Sequence, residues 1–268
     1  MFRAFILAGM ILAPVVLGRC TTVIIKFDKD RILIAADTRR ILVPNVGKQI
    51  MRDDKCKILV LDRTVMAMSG IPSYHSANLL SRAPGPWDAF SDARKAFGPA
   101  GIGLGDGASH WSYLLAHHFE DLNAYDPEWV SAQAATTSIH ALAEAFFTRW
   151  ENGSPALETR GIFLHSFSIM QPPTIARSKG QPPMKDGNAS LNGITQELID
   201  ATTDRAKEAA RRWLDESKKY PETEKPWRYL EFLIRETSKI DPRVSPQSDI
   251  IAIPREGEPY WIKRAACK

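Results

Sequence analysis

The order of strand and helix patterns predicts an α+β domain built in layers with largely antiparallel sheets. Two closely spaced hairpin patterns follow residue 20, helical spacing fills much of the middle, and strand patterns return between and after the helical runs. Segregated runs of this kind argue against a βαβ doubly wound sheet. The chain has 268 residues, 44% apolar and 25% charged, which suits one large core and argues against long disorder or several membrane spans. Its 35 Lys and Arg against 31 Asp and Glu leave a charge of only +4, and Arg39, Arg40, Arg211 and Arg212 do not sit among stacking aromatics. No nucleic-acid partner is therefore expected.

At the start, Arg3 precedes an apolar run from Ala4 to Gly18 broken only by Pro14, the pattern of a secretory signal. The run is short for a membrane span of about 20 residues. Val16 and Gly18 are the small residues that a signal peptidase requires, so a cut after Gly18 is expected, with residues 1–19 as leader and 20–268 as one exported domain. A cysteine just after such a run is also the lipoprotein pattern, although Arg19 stands where that signal has a small residue.

Strand patterns at Cys20–Phe27 and Arg31–Ala36 flank the turn Asp28-Lys29-Asp30, and Lys57–Leu61 and Thr64–Ser69 flank Asp62-Arg63. Helical spacing is read over Ser73–Ser81 and Trp87–Phe97, a loop over Pro99–Gly107, and helices over Ser109–Leu122 and Pro127–Trp150, the last ending at Asn152-Gly153. Strands are expected at Gly161–Met170 and Thr174–Arg177, then a mobile segment from Gly180 to Asn192. Helices over Thr195–Lys218 and Pro226–Ile240 precede closing strands at Asp249–Ile253 and Tyr260–Lys263.

Several residues stand in a telling order. Cys20-Thr21-Thr22 opens a strand; the next strand ends in Ala35-Ala36-Asp37-Thr38-Arg39; Lys57 directly precedes an apolar strand; Met68-Ser69-Gly70 closes the following one. Near the end come Asp241, Ser245, the strand Asp249–Ile253, Gly257 and Trp261. This series resembles the proteasome β subunits, members of the N-terminal nucleophile (Ntn) hydrolases. The resemblance spans most of residues 20–268, except the middle from about Ala83 to Asn192. It implies a four-layer αββα sandwich of two mainly antiparallel sheets flanked by helices, and an amide hydrolase whose nucleophile is the first residue of the mature chain.

Counting back from Asp37 without a gap puts Thr21 first. Placing Cys20 first instead sets Val23, Ile25 and Phe27 on the core positions at the cost of one extra residue in the turn. Cys20 is preferred, and a Cys start resembles the penicillin V acylase and bile-salt hydrolase branch. A thiol at a chain terminus has its own α-amine as general base. The resemblance makes Lys57 the buried charge favouring the thiolate, Asp37 its partner, the Gly70 N–H an oxyanion donor, and Asp241 with Ser245 the support of the terminal amine. The family's Ser falls three residues after the Asp, where this chain has Val244. A further family Ser has only Ser190 and Thr195 as counterparts, and Lys55 is the alternative lysine. The implied substrate is a peptide or small acylated amine, with room for a homo-oligomer; a catalytically silent or lipid-anchored protein of the same fold is the alternative.

No metal or cofactor is expected. His110, His117 and His118 lack a ligand pattern, Gly101–Gly107 lacks the strand and spacing of a phosphate loop, and Trp129, Trp150, Trp213 and Trp227 read as packing residues. The three cysteines permit one disulfide and one thiol in an oxidising compartment; the pairing stays open on sequence, and Cys56–Cys267 is the one that leaves Cys20 unpaired.

Overall fold

A computed structural model describes residues 22–42, 50–74, 84–135, 140–165, 174–180, 184–185, 188–190, 193–199 and 203–268. Cys20 and the leader lie outside this set. The β-branched runs at the start form a hairpin of β1 (Val23–Phe27) and β2 (Arg31–Asp37), in register from Val23↔Ala36 to Phe27↔Ile32. A small separate hairpin follows, β3 (Arg40–Leu42) with β4 (Ile50–Arg52), and then β5 (Ile58–Leu61) with β6 (Thr64–Gly70). Short strands β7 (Ser73–Tyr74) and β8 (Trp87–Asp88) pair ahead of three helices, α1 (Ala89–Phe97), α2 (Leu104–Tyr125) and α3 (Pro127–Ala134). The long hairpin β9 (Ala141–Glu151) and β10 (Ser154–His165) comes next, followed by β11 (Thr174–Gly180), β12 (Met184–Lys185) and β13 (Asn188–Ser190). The chain continues through α4 (Gly193–Ile199), α5 (Asp204–Ser217) and α6 (Lys225–Ile240) to β14 (Ser248–Pro254) and β15 (Tyr260–Lys263).

The strands assemble into a six-stranded sheet ordered β12-β13-β1-β2-β14-β15 and a five-stranded sheet ordered β11-β10-β9-β6-β5. Every pairing within them is antiparallel. Strand alternation distributes the apolar side chains among separate cores. Val23, Ile25, Ile34 and Ile251 of the first sheet share one cluster with Ile58, Val65 and Phe146 of the second, and Phe27 packs against it. Ile24, Leu33 and Ile250 belong to another cluster with Leu230 and Leu233 of α6. Met66, Phe147 and Ile162 join Trp111, Leu115 and Phe119 of α2.

Several sequence expectations change. The helix expected over Pro127–Trp150 is α3 followed by strand β9. The strand runs between β6 and β10 with both faces covered, so residues 141–148 are all buried and apolar spacing loses its power to separate strand from helix. Phe146 and Phe147 point to different cores. Asn152-Gly153 is then a hairpin turn, with φ of 50° and 75°, rather than a helix end. The expected loop Pro99–Gly107 already contains the start of α2, because Gly107 lets Phe97 lie against the helix backbone; a Cβ there would sit 2.4 Å from the ring. Ser73–Tyr74 and Trp87–Asp88 are strand, and Asp88 caps α1 by accepting from the Ser91 N–H at 2.9 Å. The expected helix Thr195–Lys218 is divided between α4 and α5, with Thr203 capping α5. The expected mobile segment Gly180–Asn192 contributes β12 and β13, and β13 pairs with β1.

Cys56 and Cys267 form a disulfide across a sequence separation of 211 residues. Such a link restricts the unfolded chain strongly. A Cys56→Ala/Cys267→Ala variant is expected to lose about 2–4 kcal/mol of unfolding free energy, with the thiol-reduced parent losing a similar amount, both read from urea denaturation midpoints.

Candidate active site

Asp37 closes β2, and Lys57 immediately precedes β5. The aspartate is fully buried and Lys57 is 6% exposed, so each needs a partner. The Lys57 Nζ donates to Asp37 Oδ1 at 3.0 Å. The same oxygen accepts the Thr22 N–H at 2.7 Å, and Oδ2 accepts the N–H groups of Arg39 at 3.0 Å and Ser245 at 3.2 Å. One carboxylate thus joins the residue before β1, the end of β2, the segment before β5 and the turn before β14. Thr22 is held reciprocally, since its carbonyl accepts the Asp37 N–H at 3.0 Å.

Lys57 is also fixed through its backbone, because its carbonyl accepts the Met68 N–H at 3.0 Å. Two residues beyond Met68, Gly70 ends β6 at φ +95°. A Cβ at Gly70 would lie 2.3 Å from the Leu142 carbonyl oxygen, so both the left-handed backbone and the closeness of β9 require glycine. Lys55 is half-buried, and its backbone N–H bonds the Thr38 carbonyl at 3.0 Å.

Ser245 and Asp241 differ in where they point. The Ser245 Oγ accepts from Thr38 Oγ1 at 3.2 Å and from the Gln247 N–H at 3.0 Å, so it braces the Asp37 turn. Asp241 follows α6 and turns its carboxylate onto Arg243, which donates from its backbone N–H at 3.0 Å, from Nε at 2.8 Å and from Nη2 at 3.0 Å. Of the two hydroxyls considered as a further support, Thr195 on α4 is buried and lies 3.3 Å from Thr22 Oγ1 and 2.8 Å from Thr237 Oγ1. Ser190 is buried on β13 opposite Ile24. Cys20 falls outside the described residues.

Sequence reasoning missed Thr22 and the pair Arg39–Asp53. Arg39 grips Asp53 with two bonds, Nε to Oδ1 at 2.6 Å and Nη2 to Oδ2 at 2.8 Å, and Arg39 Nη1 donates to the Pro242 carbonyl. The hydrogen bonds from Arg39 hold the Asp53 carboxyl below the usual carboxylate range despite partial burial. The only sequence signal was the acidic pair Asp53-Asp54 directly before Lys55.

No protein-family model and no curated protein matches the chain. A solved structure is similar: the eukaryotic HslV from Trypanosoma brucei, at 15% identity and a TM-score of 0.42, covering 87% of this chain and 99% of that one.

Elsewhere, His118 lies 3.1 Å from Asp92 and stacks on Trp87, and His117 faces Glu120 on the surface of α2. Among the described residues the grouping closest to a metal-ligand set is Cys56, Asp249 and Cys267. It is a poor one. The two sulfurs are bonded to each other, and the Asp249 carboxylate accepts the N–H groups of Ala265, Ala266 and Cys267. Trp150 donates from Nε1 to the Ile253 carbonyl at 3.1 Å, while Trp129, Trp213 and Trp227 pack against the cores.

Lys57→Met leaves Asp37 as a buried carboxylate held by three N–H groups and no ammonium. A loss of about 3 kcal/mol is expected, the low end for removing one partner of a buried pair. Adding Asp37→Asn should recover part of it, so the double variant should lose less than the sum of the singles in chemical denaturation. Lys55→Met should stay within about 0.5 kcal/mol of the parent.

Proposed function

We propose that the protein is an exported Ntn amide hydrolase with Cys20 as nucleophile, acting on a peptide or a small acylated amine. The observation that carries this reading is the Thr22 N–H on the Asp37 carboxylate that also holds Lys57. Cys20 is two residues before Thr22 in sequence, and two residues of chain reach only about 7 Å, so the thiol, the α-amine and the Lys57 ammonium belong to one neighbourhood. The alternation that favoured Cys20 over Thr21 supports it further: Val23, Ile25 and Phe27 all face the core shared by the two sheets. The three apolar clusters are read as the seams of a four-layer αββα sandwich formed by residues 20–268.

In this reading the Cys20 thiol gives its proton to its own α-amine, whose pKa near 8 suits neutral pH. The Lys57 ammonium favours the thiolate and the neutral amine. The sulfur attacks the amide carbonyl, the Gly70 N–H supports the oxyanion, and the C–N bond breaks as the ammonium returns its proton to the leaving amine. Water then attacks the thioester, releasing the acid and restoring the thiol. The roles of Thr38 and Ser245 are to hold Asp37, and Thr195 to hold Thr22; Asp241 acts at one remove, as the anchor of the Arg243 turn. The Cys56–Cys267 disulfide supports both export and the choice of nucleophile, since it fits an oxidising compartment and leaves Cys20 as the remaining cysteine. No helix among the described residues is long and apolar enough to cross a membrane.

Cys20→Ala should abolish hydrolysis of a chromogenic amide while preserving the unfolding midpoint; turnover by the folded variant would defeat the assignment, and inactivity of Thr21→Val alone would move the nucleophile to Thr21. A cut after Gly18 leaves Arg19 acylating the Cys20 amine, so the exported form should be inactive until Arg19 is lost. Intact-mass analysis of a chain beginning Met-Arg19-Cys20, with and without Cys20→Ala, separates self-processing from an aminopeptidase: only the first requires the thiol. An active protein that retains Arg19 would overturn the N-terminal mechanism.

A further inference from the structure

The small hairpin β3–β4 is outside both large sheets, yet it grows directly out of the candidate site. Its register is Arg40↔Arg52, Ile41↔Met51 and Leu42↔Ile50. Continued inward, the same ladder makes Arg39 and Asp53 opposite neighbours, and the Lys55 N–H bonds the Thr38 carbonyl at 3.0 Å. Asp37 and Lys57 meet two residues further in on one side and four on the other, so two extra residues of the returning strand lie between the Arg39–Asp53 fork and that pair. The two chains leaving the site as a ribbon are therefore locked together at its base by the two bonds of Arg39 on Asp53.

The same guanidinium holds a third segment. Its Nη1 reaches the Pro242 carbonyl, in the turn that delivers the Ser245 N–H to Asp37 Oδ2. Arg39 also places its own backbone N–H on that oxygen at 3.0 Å. Side chains at Arg39 and Asp53 are only 18% and 28% exposed, so the fork is shielded from competing water on most sides. A bidentate guanidinium–carboxylate contact fixes orientation as well as distance, which a single-point ion pair does not.

We propose that Asp53 is a positioning residue: by holding Arg39 it clasps the base of the β3–β4 ribbon and fixes the register in which Lys57 meets Asp37. The proposal rests on reading Asp37 and Lys57 as active-site residues. Without the Asp53 charge, Arg39 keeps the Pro242 carbonyl but loses its two-point grip on the returning strand, which is then tied here only by the Lys55 N–H on the Thr38 carbonyl and at most one neutral side-chain bond. Residues 53–57 can then slide relative to 37–39, and the Lys57 ammonium no longer holds one place beside the nucleophile. Misplacement of that kind lowers the rate of the chemical step without changing substrate binding.

The test uses the full chain with Asp53→Asn and Asp53→Glu. Amide hydrogen exchange followed by mass spectrometry reads the ribbon directly, and steady-state kinetics on a chromogenic amide reads the site. Asp53→Asn is expected to speed exchange at Lys55 and Lys57 about tenfold while β9 and β10 exchange as in the parent. The thermal midpoint should fall by no more than about 4 °C, and kcat should fall about tenfold at unchanged KM. Asp53→Glu should restore both exchange and kcat in large part. Unchanged exchange at Lys55 and Lys57 would overturn the proposal, as would faster exchange spread evenly over both sheets. A raised KM at constant kcat would make Asp53 a substrate-binding group and overturn it too. A parent protein that hydrolyses no amide defeats the functional reading alone, and the exchange comparison then still decides whether Asp53 is the clasp.

Discussion

A carboxylate that water cannot reach must be satisfied by the protein, and Asp37 is such a carboxylate. Its two oxygens take four donors, from Thr22, Arg39, Lys57 and Ser245, which come from four separate stretches of sequence. Each donor is credible only where the others are in place, because an incomplete set leaves a buried charge partly unpaired. The arrangement of β1, β2, β5 and β14 around one point is thus a condition for burying Asp37 at all. The ion pair itself need contribute little net stability; its effect is on which arrangement of these strands is allowed.

The same principle extends outward. Asp37–Lys57, Arg39–Asp53 and Asp241–Arg243 form three cation–carboxylate pairs linked through Arg39, whose Nη1 donates to the Pro242 carbonyl between Asp241 and Arg243. Within each of these pairs the charge is answered by an opposite one. Paired in this way, the charges constrain where each segment sits more than they add to the charge of the region.

How much of this was legible beforehand differs from element to element. The hairpin of β1 and β2 was plain, because its β-branched residues flank a polar turn, and Asp37, Lys57 and Ser245, singled out by their order in the chain, do meet at one carboxylate. The buried strand β9 was read as helix because Ile139, Leu142 and Phe146 fall at helical intervals, and a strand covered on both faces carries no alternation to contradict them. Asn152-Gly153 was the missed clue, since that dipeptide suits a tight hairpin turn. Arg39–Asp53 was invisible for another reason. It depends on a short hairpin whose residues show no clear period, and a salt bridge between positions 14 apart becomes apparent only when the ladder brings them opposite. The aim of the Asp241 carboxylate was likewise beyond sequence: the choice between Arg243 and the terminal amine is made by side-chain orientation.

The order of strands in the first sheet also bears on when the site comes into being. β2 has β1 on one side and β14 on the other, and β14 begins at Ser248, more than two hundred residues after β2 begins. The N-terminal hairpin can close early from local contacts, but its other flank stays open until nearly the whole chain has been made, and the Ser245 N–H reaches Asp37 only then. Contacts of such long range form late and slowly, since the intervening chain must first be ordered. A ribosome-bound or truncated chain lacking Ser245 and β14 would therefore hold Asp37 beside Thr22 yet leave the carboxylate short of a donor. The topology leaves the set of donors around Asp37 incomplete until the end of the chain has been made.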